Sequence, residues 1–127
     1  MDIYTLHYYV DSCGKAKPAQ LFIKALPEKV QLKIFKYLFY LRDKGGYLDE
    51  PYSRHITGKI RELRVDFSSI RHRIFYFTFI EKKIIILNGF VKKTQKTPEQ
   101  EVKKALKYFQ DVLNNPKLYE ANQSQID

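Results

Sequence analysis

The chain is poor in the residues that build covalent or metal staples. It has a single cysteine, Cys13, in 127 residues, so it cannot form an internal disulfide. Its three histidines, His7, His55 and His72, are scattered and show no ligand spacing with Cys13, which argues against a structural metal or cofactor. Long apolar runs are missing too. Charge interrupts each hydrophobic stretch well short of bilayer length, and the opening MDIYTLHYYVDS has neither the basic start nor the continuous apolar stretch of a secretory signal. The expectation is a cytoplasmic protein with no membrane role. Acids are scarce in one region above all. Between Tyr52 and Pro98 eleven Lys and Arg stand against three acids, a net of +8, whereas residues 1–51 net +2 and residues 99–127 net −1. Such an asymmetry favours a polyanionic partner, either nucleic acid or an acidic protein segment.

What is present can fill one core: 44% of the residues are hydrophobic and 15% aromatic. IYTLHYYV (3 to 10) is rich in β-branched and aromatic residues and predicts a strand. Pro18 can open a short helix burying Leu21, Phe22, Ala25 and Leu26. A second helix follows Pro27, with Val30, Ile34, Phe35, Leu38 and Leu41 at helical spacing, and Gly45 and Gly46 stop it. In IRELRVDF (60 to 67) the period changes to two, and RHRIFYFTFI (71 to 80) and KIIILNGFV (83 to 91) predict a hairpin across Glu81 and Lys82. Thr97, Pro98 and Gln100 predict an N-cap, a first-turn proline and a capping-box partner for a last helix, with Val102, Ala105, Leu106, Phe109, Val112 and Leu113 on one face. The order β, α, α, β, β, β, α predicts an α+β domain over residues 1–113, an antiparallel central sheet with an N-terminal helical hairpin and a C-terminal helix packed on one face. Residues 114–127 are polar and predict a flexible tail.

Period two puts Glu62, Arg64 and Asp66 opposite Leu63, Val65 and Phe67, and the next strand adds Arg71 and Arg73. If pairing brings Arg64 and Arg73 together, they repel unless an anion or Glu62 lies between them. Lys92, Lys93 and Lys96 leave the last strand near the same end. One reading is a phosphate-handling patch built from several strands. The other is an edge decorated with lysine against strand pairing, the better account of any single lysine here.

The segments PYSRHITGKIRELRVDF, RHRIFYF and LNGFVKKTQKTPEQEVKKAL, with an upstream helix ending in LRDKGGYL, resemble the RelE/HigB-like toxins of type II toxin–antitoxin pairs, in the phage-associated HigB-like branch of the RelE/ParE superfamily. The resemblance covers about residues 18–110 and is most specific in the second half. It implies the small α+β toxin fold and metal-independent cleavage of mRNA in the ribosomal A site of the 70S ribosome. It also implies neutralisation by a helix-turn-helix, HigA-like antitoxin from the same operon, with operator DNA bound only through the toxin–antitoxin complex.

Cleavage of that kind needs a base for the 2′-OH, cations for the developing charge and an acid for the leaving 5′-oxygen. Carried over from the resemblance, Arg64 of ELR and Arg73 of RIFY are expected as phosphate clamps, and Lys92, Lys93 and Lys96 as groups for proton transfer or charge stabilisation. Lys59, Arg61, Arg71 and Tyr76 are expected as RNA contacts, Tyr76 having a core aromatic as its competing reading. His72 lies beside Arg73, but alternation turns it to the other face. Several such toxins carry a catalytic tyrosine or histidine near the chain end. This chain departs from that pattern, and Tyr119 is not assigned the role. Two other readings remain: a ParE-like inhibitor of DNA gyrase, and a nucleic-acid-binding module without chemistry.

Overall fold

The structure is a computed structural model describing residues 3–120 and 125–126. Its described strands form one six-stranded sheet in the order β2-β3-β4-β5-β1-β6. They are β1 (Thr5–Tyr8), β2 (Ser53–Thr57), β3 (Ile60–Phe67), β4 (Ile70–Phe79), β5 (Lys83–Lys92) and β6 (Gln125–Ile126). The helices are α1 (Pro18–Lys24), α2 (Glu28–Asp43) and α3 (Glu99–Asn114). β3, β4 and β5 form the expected antiparallel meander, while β1 enters beside β5 in parallel.

The tight connections come from local backbone. Ser68 and Ser69 turn β3 into β4, and Glu81 and Lys82 turn β4 into β5, all four at positive φ, the sense that matches the twist of a hairpin. α2 ends as its glycines predict: the Gly46 N–H reaches the Leu41 carbonyl at 2.8 Å, and a Cβ on Gly46 would collide with the Thr78 hydroxyl. Gly89 of LNGF allows the ring of Phe22 on α1 to lie against β5, where any side chain would meet it.

Two apolar cores lie on opposite faces of the sheet. Ile23, Val30, Ile34, Leu38 and Leu41 from α1 and α2 pack on Leu63, Val65, Ile74, Tyr76, Ile84 and Ile86. Ala105 and Val112 of α3 pack on Phe75, Phe77, Ile85 and Leu87. The helices therefore cover both faces, not one. The reason is visible in β4 and β5, whose nearly unbroken apolar runs leave neither face fit for water.

Three local expectations need correction. α3 begins at Glu99 behind Pro98 with no side-chain cap, so Thr97 and Gln100 form no capping box; Glu99 and Glu101 in the first turn complement the helix dipole instead. SRHIT forms an additional strand, β2, which its polar pattern concealed. Residues 116–119, expected in the polar tail, form a 3₁₀ turn that buries Tyr119 to 1% exposure. The Tyr119 hydroxyl accepts the Val10 N–H at 3.1 Å and donates to the Val10 carbonyl at 3.2 Å. Gln125 and Ile126 pair with His7 and Leu6 of β1. Among the described residues no helix is long and apolar enough to cross a membrane.

Candidate phosphate-handling site

Beyond the end of α3's apolar footprint, the same sheet face turns from hydrocarbon to charge. Strand register sets the pattern. Arg54 of β2 pairs with Glu62 of β3, Arg64 of β3 with Arg73 of β4, and Arg71 of β4 with both Asp66 and Lys92. Side chains at i and i+2 share a face, so Glu62, Arg64, Arg73 and Lys92 converge.

The convergence is buried. Glu62 and Arg73 are both 0% exposed, and Lys92 is 7% exposed. Glu62 Oε1 stands 3.8 Å from the Nε of Arg64 and 3.8 Å from the Nε of Arg73, so one carboxylate separates the two guanidinium groups as the repulsion argument required. Those separations are ion-pair distances, too long for hydrogen bonds. Both Glu62 oxygens, the Nε of Arg64 and the Nε and Nη2 of Arg73 have no hydrogen-bond partner. Buried charged atoms in that condition carry a large desolvation cost, and their concentration in one patch marks a site shaped for something other than stability.

Burial pushes the Glu62 carboxyl above its ordinary range, against the pull of Arg73, Lys92, Arg64 and Arg54. Burial likewise pushes the Lys92 ammonium below its ordinary range; Glu62 opposes that fall, and the three arginines add to it. The two shifts have opposite signs because burial penalises the charged form of each group.

Of the residues expected from sequence, the structure brings Arg64, Arg73 and Lys92 together, with Arg71 alongside. Arg73 differs from its expected part. Its Nη1 donates to Asp66 Oδ1 at 2.7 Å and to the His72 carbonyl at 2.9 Å, and it has no exposed surface to offer a phosphate, whereas Arg64 is partly exposed. Lys93 is exposed just past β5, and Lys96 lies in the following loop, 3.7 Å from Glu99. Lys59 is exposed in the β2–β3 turn. Arg61 and Tyr76 lie opposite one another on the α2 side of the sheet. Arg61 donates to Ser53 Oγ at 3.1 Å and covers the Tyr47 ring at 4.6 Å. Tyr76 is 0% exposed, bonded to Ser53 and to the Gly46 carbonyl, and cannot stack on a base. His72 is also buried on the α2 side, its Nδ1 3.1 Å from the Val65 carbonyl. Arg54 was not foreseen, because only the Gly58 turn between SRHIT and IREL hints that β2 and β3 form a hairpin.

A sheet of this order, helices on both faces and a cationic cluster across its central strands define a RelE-like α+β protein. The profile of the phage-derived Gp49-like family (DUF891) matches residues 21–110, and the chain belongs to that RelE-like toxin family. No curated protein matches the chain significantly.

Proposed function

We infer that this protein is the toxin of a type II toxin–antitoxin pair and acts as a ribosome-dependent mRNA endonuclease in the cytoplasm. The observation that carries this reading is the Arg64–Arg73 pair set on one buried carboxylate beside a buried lysine. Arg64, at the edge of the cluster, holds the non-bridging oxygens of the scissile phosphate. Arg73, pinned by Asp66, adds fixed positive potential beneath it. Lys92, its ammonium destabilised by burial, takes the 2′-OH proton in its neutral form. The 2′-oxygen then bonds to phosphorus, the P–O5′ bond breaks, and the leaving 5′-oxygen takes a proton from solvent water, which the Lys92 ammonium restores as it returns to its neutral form. The products are a 2′,3′-cyclic phosphate and a 5′-hydroxyl end. The charge that builds on phosphorus meets cations already in place, which is where preorganised electrostatics contributes most.

The expected antitoxin, a helix-turn-helix protein from the same operon, would mask Arg64 and the exposed Lys93 with an acidic or amphipathic segment. Mapping of mRNA 5′ ends after brief induction tests the function. New ends within codons that require translating ribosomes are expected. Growth arrest with no new ends, accompanied by inhibited DNA supercoiling, would replace this reading with the gyrase one.

A further inference from the structure

A second surface adjoins the charged cluster. α2 carries Tyr37 and Tyr40 three residues apart and so on neighbouring positions of its surface, and the segment entering β2 brings Tyr52 against them. Tyr37 and Tyr52 meet edge to face at 5.7 Å between ring centres, and Tyr37 and Tyr40 lie 6.5 Å apart. These rings, with Leu48, form the apolar wall of a groove of about 460 Å³, whose charge comes from Lys36 and Lys44 against Asp43. Tyr40 is 49% exposed and Tyr52 48% exposed, so about half of each ring stays open to a partner.

The groove lies on the α2 face and the charged cluster on the α3 face, and the two approach each other where Tyr52 meets β3. Tyr37 and Tyr52 also line a smaller cleft that contains Lys33, Arg64 and Asp66, and the Tyr52 carbonyl accepts the Arg64 backbone N–H at 2.9 Å. Cations already ride over the ring faces: the Lys33 ammonium lies 5.7 Å from the centre of Tyr37 and that of Lys36 lies 5.9 Å from Tyr40. Exposed aromatic faces interleaved with lysines, with Arg64 lining the neighbouring cleft, suit a single strand whose bases stack while its backbone follows the charge. The groove's volume is that of a small-molecule site.

We propose that the Tyr37–Tyr40–Tyr52 groove stacks an unpaired nucleobase of the RNA strand whose scissile phosphate Arg64 holds. This rests on the endonuclease reading, and it assigns α2 a part in positioning substrate. Tyr52 is the hinge of the arrangement, since its ring faces the groove while its carbonyl fixes the backbone of Arg64.

The test is fluorescence anisotropy at low salt, with the intact protein and a single-stranded RNA blocked against cleavage by 2′-O-methyl groups. Tyr52→Ala and Tyr40→Ala should each weaken binding about fivefold to a hundredfold, the contribution of one stacked base, and leave the salt dependence unchanged. Tyr52→Phe should bind like the parent. Arg64→Ala should reduce the salt slope by about one phosphate contact. An abasic strand should bind the parent as weakly as the intact strand binds the tyrosine variants. If the tyrosine variants bind normally while Arg64→Ala does not, the groove assignment fails and the endonuclease reading stands. The groove assignment fails equally if the abasic strand binds as well as the intact one, or if the tyrosine variants lose only the helix-turn-helix partner. No binding by the parent protein would sink the groove assignment, while the endonuclease reading, which calls for the ribosome, stands or falls on the mapping of mRNA ends.

Discussion

Arg64 and Arg73 face each other across β3 and β4 as direct register partners, and the buried carboxylate of Glu62 lies 3.8 Å from both. Two like charges on opposite strands are unfavourable by themselves. One carboxylate offsets part of the repulsion, and the pair then presents net positive charge at the edge of a desolvated patch. That is a poor device for stability and a good one for receiving a phosphate.

Arg64→Ala and Lys92→Ala should each abolish toxicity while circular dichroism remains that of the parent. Loss of one charge contact to a transition state costs about 2.7–4 kcal/mol, roughly a hundredfold to a thousandfold in rate. Lys82→Ala, in the β4–β5 turn, should remain toxic. Lys83 is unsuitable as a second control, because it is 8% exposed at the start of β5 and 3.5 Å from Glu81. Colony formation under induction reads all three variants, and equal toxicity would return these side chains to a solubilising role.

Arg73→Ala should fail differently. Removing one member of a buried ionic network leaves the rest uncompensated, typically at a cost of about 3–5 kcal/mol. The double variant Glu62→Leu with Arg73→Met should recover most of the stability in urea melts and none of the toxicity. Recovery of toxicity with stability would show that the cluster serves folding alone.

His7 is expected to make folding acid-sensitive. Burial, with help from Lys83, lowers its pKa from 6.5 to about 4. Its folded pKa lies below the unfolded one, so its contribution is complete above pH 6.5 and is lost as pH falls towards 4. The size is at most about 3.4 kcal/mol, from about 2.5 pKa units at 1.36 kcal/mol each. Urea midpoints should fall over that window, and His7→Gln should flatten the fall. An unchanged slope in the variant would assign the acid sensitivity elsewhere.

Tyr119→Phe should destabilise the protein by about 1–3 kcal/mol, because it leaves the buried N–H and carbonyl of Val10 without their partner. Thermal melts of this variant, and of a chain ending at residue 114, measure how far the last segment contributes. A truncated chain as stable as the parent would show that the Tyr119 contact with Val10 adds nothing to folding.

The meander and three helices were legible because they are local: period two in IRELRVDF, helical spacing around Val30 to Leu41, and the turn pairs all act within a few residues. Even the Arg64–Glu62–Arg73 arrangement followed from alternation plus one antiparallel pairing. What the sequence could not state is where distant pieces meet. β1 lies parallel to β5, Tyr119 returns to Val10, and α3 covers the face opposite α1 and α2, all across long separations that no periodicity encodes. Alternation also treats buried and exposed polar residues alike, so it could not tell that Arg73 and Lys92 are shielded from water while Lys93 and Lys96 are not. Charge and spacing pointed to Arg64, Arg73 and Lys92, which the fold brings to one patch. Only the packed structure decided which of them lose their water, and that desolvation shifts Lys92 and Glu62 towards each other.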